Sequence, residues 1–109
     1  MGWVHFAPAC GTASKAREKP NKTLQKAGFR VPKPLRSVEY PLGLPNLSGT
    51  DLIRTQAANH VYQVTADLVR MLVRWGVFVT VENPTNSLFW IVPCIAALLE
   101  ELGGYDCIF

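Results

Sequence analysis

The amino-acid sequence predicts an α/β fold built on a partial, doubly wound parallel sheet. The mostly apolar run at 3–7 and the apolar, β-branched run at 77–81 are typical of buried strands, and residues 48–74 between them show a helical apolar pattern. The order then repeats, since a second helical stretch at 87–102 precedes another short run at 105–109. Alternation of strand, helix and strand is typical of parallel sheets with right-handed crossovers.

Composition limits the classes of protein to consider. A chain of 109 residues with 49% apolar and 17% charged residues is sized for one small domain with a core. The longest apolar run, 88–99, is shorter than the roughly 20 residues of a membrane-spanning helix. We see no secretory signal, and the three cysteines form no zinc pattern, so we expect an intracellular protein, cytoplasmic or nuclear.

Residues 15–47 differ from the rest of the chain. They carry five of the eight prolines, and eight of the eleven Lys and Arg residues lie within 11–40, beside two carboxylates. Proline opposes helix formation, and an excess of positive charge favours contact with phosphates. We therefore predict a single partial domain, 1–109, in which 15–47 is an irregular, exposed loop insertion. Its basic part, 15–36, is a candidate surface for nucleic acid, with DNA as the first candidate.

The long helix has clear signals at both ends. Ser48 and Asp51 match a capping box, and Gly76 suits the position after the last turn. Between them runs one apolar stripe, which we expect to face the core. Its members are Ile53, Ala57, Val61, Val64, Leu68, Leu72 and Trp75. Gln56 and Asn59 lie off this stripe and are expected to face solvent.

The remaining elements follow from similar signals. We expect 77–81 to be a central strand that is covered on both faces. Pro93 divides 87–102 into two helical pieces, because proline fits the first turn of a helix better than its interior. Core positions are expected for Trp90, Cys94 and Cys107, and a structural role in the first strand for His5.

The residues that could carry chemistry follow the first two strands. Cys10 comes shortly after the first strand, and Glu82 comes directly after the second. The carboxyl ends of neighbouring parallel strands meet at one edge of the sheet, where ligands bind in such folds. Cys10 and Glu82 are therefore predicted to face one pocket.

Both motifs resemble those of the DNA cytosine-5 methyltransferases. Pro-Ala-Cys-Gly-Thr-Ala-Ser at 8–14 resembles the nucleophile motif, with Ser14 four positions after Cys10, and Glu82-Asn83-Pro84 resembles the family's Glu-Asn-Val motif. The resemblance implies a fragment of a Rossmann-like, methyltransferase-type domain. Cys10 would then add to C6 of cytosine, while Glu82 holds and protonates the base at N3.

The resemblance also implies a methyl donor and a set of substrate-binding residues. The donor is S-adenosylmethionine, although no glycine-rich loop for it precedes Trp3 and no Gln-x-Arg-x-Arg element is present. Ser14, Asn83, Lys15 and Arg17 are the residues expected on the substrate side. We expect no methyl transfer by this chain alone.

Two other hypotheses remain open. The chain could be a non-catalytic remnant of a methyltransferase that binds nucleic acid through its basic loop. It could also be a small α/β protein with no connection to nucleic acid.

Overall fold

A computed structural model describes residues 2–9, 11–13 and 33–103. The elements in chain order are strand β1 (Trp3–Phe6), helix α1 (Gly49–Arg74), strand β2 (Phe78–Val81), a 3₁₀ helix (Leu88–Ile91) and helix α2 (Pro93–Leu102). Over these residues the fold is α/β with a two-stranded parallel sheet, and α1 connects the two strands. The predicted third strand, 105–109, lies outside the described residues, as does Cys107.

The sheet is covered on one face. Trp3 lies opposite Phe78 in the parallel register, and Phe6 lies opposite Val81. Because side chains alternate along a strand, Phe6 and Val81 point inward and pack against the core. Trp3 and Phe78 lie on the outer face and are 67% and 68% exposed. The prediction that 77–81 is covered on both faces is therefore wrong over the described residues, because α1, the 3₁₀ helix and α2 all contribute to the core on the inner face.

That core is a single cluster of buried side chains. Phe89 of the 3₁₀ helix lies at its centre, with its ring edge-on to the rings of Tyr62 and Trp90 at 5.0 Å in each case. Such perpendicular ring pairs add to the stabilisation that comes from buried area. Trp90 and Cys94 pack against this cluster, as predicted.

Helix α1 forms as predicted but presents a different face to the core. Its buried residues are Thr55, Tyr62, Thr65, Ala66 and Val69. Most of the predicted stripe is exposed instead, with Ile53 at 67% and Trp75 at 70%. The small side chain of Ala66 lets the core pack closely against the helix backbone, and Tyr62 finds a hydrogen-bond acceptor on this side.

Residues 33–47 form no helix or strand, as predicted, but they are not uniformly exposed. Leu35 and Arg36 are each only 1% exposed. Asn59, expected in solvent, is half-buried and accepts a hydrogen bond from Arg36, whereas Gln56 is exposed as predicted. Burial of Leu35 and Arg36 fixes this segment against α1.

The remaining boundaries agree with the sequence. Ser48 is the N-cap residue of α1, although its side chain makes no capping hydrogen bond. Pro93 starts α2 one residue after the 3₁₀ helix, and Gly103, which caps the end of α2, is in the left-handed region with φ 64°. None of the described helices combines the length and apolar character needed to span a membrane.

Candidate functional site

The carboxyl ends of β1 and β2 lie side by side, as the sequence predicted. The amide of Glu82 donates to the carbonyl oxygen of Phe6 at 2.8 Å, so pairing extends one residue beyond β2. Asn83 Nδ2 then donates to the carbonyl of Pro8 at 3.2 Å. The two motif segments are therefore joined directly by hydrogen bonds.

The Glu82 side chain lies on the outer face of the sheet. Its Oε2 is 3.1 Å from His5 Nε2, and the side chains of Glu82 and His5 are 73% and 43% exposed. Glu82 shares this face with His5 because they occupy same-face positions on adjacent strands. An incoming ligand can reach the carboxylate without any rearrangement of the core.

A line of hydrogen bonds continues from Glu82 along this face. His5 Nδ1 lies 2.7 Å from Thr80 Oγ1, and Trp3 Nε1 donates to the same hydroxyl oxygen at 3.1 Å. With neutral His5, the consistent arrangement has the Thr80 hydroxyl donating to Nδ1 and Nε2–H donating to Glu82. His5 thereby orients the carboxylate, a role that the sequence analysis did not assign to it. The signal was present in the alternation, since residues 3, 5, 80 and 82 share one face.

Residues 7–9, which precede Cys10, are held from two sides. Tyr62 of α1 donates its hydroxyl to the carbonyl of Ala9 at 2.8 Å, and Asn83 holds the carbonyl of Pro8 from the other side. Asn83 Oδ1 is buried and has no hydrogen-bond partner among the described residues. Asn83 thus links the second motif to the residues just before Cys10.

Four of the predicted site residues lie outside the described residues: Cys10, Ser14, Lys15 and Arg17. The segment that follows Cys10 is nevertheless fixed to the core over 11–13. The carbonyl of Ala13, which is fully buried, accepts from the amide of Leu88 at 2.9 Å. The described segments before and after Cys10 are therefore both hydrogen-bonded to other parts of the chain.

Arg36 belongs to the predicted basic surface but is part of the interior. Its guanidinium donates to Thr12 Oγ1, to the carbonyls of Pro41 and Thr55, and to Asn59 Oδ1. Burial lowers the pKa of Arg36 from its ordinary value, but a guanidinium stays charged at neutral pH. Its donors are engaged within the protein, so Arg36 is removed from the set of residues that can contact a phosphate.

Other potential sites in the described part of the chain are few. No group of three His, Cys, Asp or Glu side chains there is arranged to hold a metal ion. A pocket at the start of α1, lined by Lys33, Ser48 and Asp51 among others, shares no residue with the Glu82 site. Burial raises the pKa of the Cys94 thiol, so Cys94 is poorly suited to act as a nucleophile.

Comparison of the chain with protein-family models, with curated proteins and with solved structures gave no match.

Proposed function

We propose that this chain is a fragment of a cytosine-5 methyltransferase-like domain whose strand-end site engages an unpaired cytosine. The observation that carries the proposal is the junction of the two motifs at one sheet edge. Parallel β1 and β2 are neighbours, and Asn83 of the second motif is hydrogen-bonded to Pro8 of the first. Two parallel strands joined by a helix also form the repeating unit of a doubly wound, Rossmann-like sheet.

The proposed chemistry is the addition of a thiol to cytosine. The Cys10 thiolate forms a bond to C6 while N3 takes a proton from the protonated carboxyl group of Glu82, which becomes the carboxylate. The displaced π electrons make C5 nucleophilic. The exposed Glu82 carboxylate can meet the ring of a base that has left its stack. His5, at 3.1 Å from Glu82, orients the carboxyl group.

Methyl transfer is not part of this proposal. Binding of S-adenosylmethionine would need a glycine-rich loop, because glycine lets the backbone approach a ligand closely. Among the described residues that directly follow β1 and β2, Gly11 is the single glycine. These residues do not fit the cofactor, so none is assigned to it.

The test is exchange of the cytosine C5 hydrogen in D₂O. Once the thiolate has added to C6, C5 takes a deuteron from solvent. Loss of the original C5 proton and expulsion of the thiolate then restore the ring with deuterium at C5. We expect the full chain to catalyse this exchange in single-stranded DNA, measured as a mass increase that persists after back-exchange in H₂O.

Three variants make the test specific. Cys10→Ser should abolish the exchange. Glu82→Gln should slow it at least about 100-fold, the lower limit of what a positioned acid contributes. Cys94→Ser is the matched control and should leave the rate unchanged. The proposal is wrong if no exchange occurs, or if exchange persists in Cys10→Ser.

A second candidate function is nucleic-acid binding without chemistry. It is favoured by the contact with His5 at 3.1 Å, which already engages the Glu82 side chain, and by the basic residues of 15–33. Binding of single-stranded DNA should then weaken with salt, with a log–log slope near −0.7 per phosphate contact. Joint replacement of Lys15, Arg17, Lys19 and Lys22 by Gln should reduce this slope. Joint replacement of Arg54 and Arg74 by Gln serves as the control on α1.

A further inference from the structure

Helix α1 carries a second apolar face, separate from the one in the core. All of its members are exposed: Ile53, Ala57, Val61, Val64, Leu68, Met71 and Trp75, the last directly after the helix end. At about 100° per residue, the centre of this face lies roughly 140° around the helix from the buried face. The buried face, which includes Tyr62, and the exposed apolar face, which includes Val64, are thus different surfaces of one helix. We name the exposed apolar face the outer seam.

The spacing of the outer seam is that of a coiled coil. From Ala57 to Trp75 its residues are separated by steps of four, three, four, three and four. This is the spacing of the a and d positions of successive heptads, which insert between the side chains of a facing helix. A surface with this spacing fits a helix that carries the same spacing.

The partner that meets this requirement is a second copy of the chain. No charged residue interrupts the outer seam between Ala57 and Met71, so two copies can face one another without like-charge repulsion at its centre. Residues 14–32, by contrast, carry six Lys and Arg residues and lack such an apolar repeat. The outer seam of a second copy is therefore the surface that best fits the outer seam.

The exposed area is sufficient for a weak dimer. With 37–70% of Ile53, Val61, Val64, Leu68, Met71 and Trp75 exposed, the outer seam offers roughly 600 Å² per copy. Two copies would bury on the order of 1,200 Å², the lower limit of a stable interface. We propose that the chain self-associates through the outer seam of α1, with a dissociation constant in the micromolar range.

The test is the mass of the full chain in solution. Sedimentation equilibrium from about 1 to about 200 µM brackets a micromolar Kd, and the average mass should rise from 12.1 kDa toward twice that value. Leu68→Glu places a charge at the centre of the seam and should weaken association at least about 10-fold. Gln56→Glu introduces the same charge on the polar side of α1 and should leave association unchanged.

A gain-of-affinity variant covers the case in which Leu68→Glu fails to fold. Ala57→Leu fills a small, exposed position of the seam and should tighten association at least about 10-fold, because the added carbons become buried in both copies. A chain that stays monomeric at all concentrations, with and without Ala57→Leu, overturns the proposal. Dimers that survive Leu68→Glu also overturn it, because association would then use another surface.

Discussion

At the scale of single residues, Arg36 shows how a charged side chain can organise an irregular segment. Its guanidinium joins the loop after β1, through Thr12, to α1, through Thr55 and Asn59. It also lies 5.3 Å from the centre of the Tyr62 ring. The acceptors of Arg36 are all neutral, so hydrogen bonds and the ring, rather than a carboxylate, compensate its burial.

We expect Arg36→Lys to lower the free energy of unfolding by about 2–4 kcal/mol, because lysine cannot reproduce the planar fork of donors. Urea denaturation measures this change. Arg54→Lys, on the exposed side of α1, is the matched control and should change stability by less than about 0.5 kcal/mol. Equal effects of the two substitutions would contradict the role assigned to Arg36.

At the scale of elements, the carboxyl end of α1 is its best-defined boundary. Gly76 has φ 78°, its amide donates to the carbonyl of Val73 at 3.0 Å, and the amide of Val77 donates to Leu72 at 3.0 Å. This pair of bonds is a Schellman motif, which terminates the helix and directs the chain into β2. The amino end, by contrast, has Ser48 in the capping position without its hydrogen bond.

Gly76→Ala should therefore lower the free energy of unfolding by about 1 kcal/mol. A Cβ atom at Gly76 would meet nothing within 4 Å, so the cost arises from the left-handed backbone alone. Thermal unfolding followed by circular dichroism measures it. Gly2→Ala is the control, because a Cβ atom there would also meet nothing within 4 Å but the backbone has no positive φ. An unchanged free energy of unfolding in Gly76→Ala would show that the Schellman motif contributes little to stability.

At the scale of the whole molecule, stability comes from one face of a small sheet. The core lies between the inner face of β1 and β2, helix α1, the 3₁₀ helix and α2. Arg70 Nε donates to Glu101 Oε2 at 2.7 Å and links the two long helices at the surface. Among the residues that the structure describes, the outer face of the sheet contributes hydrogen bonds around His5 but no buried core.

Two phenylalanines test this asymmetry. Phe89→Ala should cost about 3–5 kcal/mol, since Phe89 is completely buried at the centre of the cluster. Phe78→Ala should cost less than about 1 kcal/mol, because Phe78 is 68% exposed on the outer face. Denaturant unfolding of both variants compares the two faces. Similar losses would mean that the outer face is also buried in solution.

The sequence by itself determined the order of elements, the parallel pairing expected of a strand–helix–strand unit and the meeting of the two motif segments. Each of these features depends on local signals: the apolar runs of the two strands, the proline at Pro93 and the glycine at Gly76. Tertiary structure decided which face of α1 is buried. Both faces carry apolar residues that could be buried, and packing against Phe89 selects the face of Tyr62. It also decided that Arg36 lies inside and that His5 holds Glu82, since these contacts join residues 19 to 77 positions apart. Spacing along the chain carries no signal for such contacts.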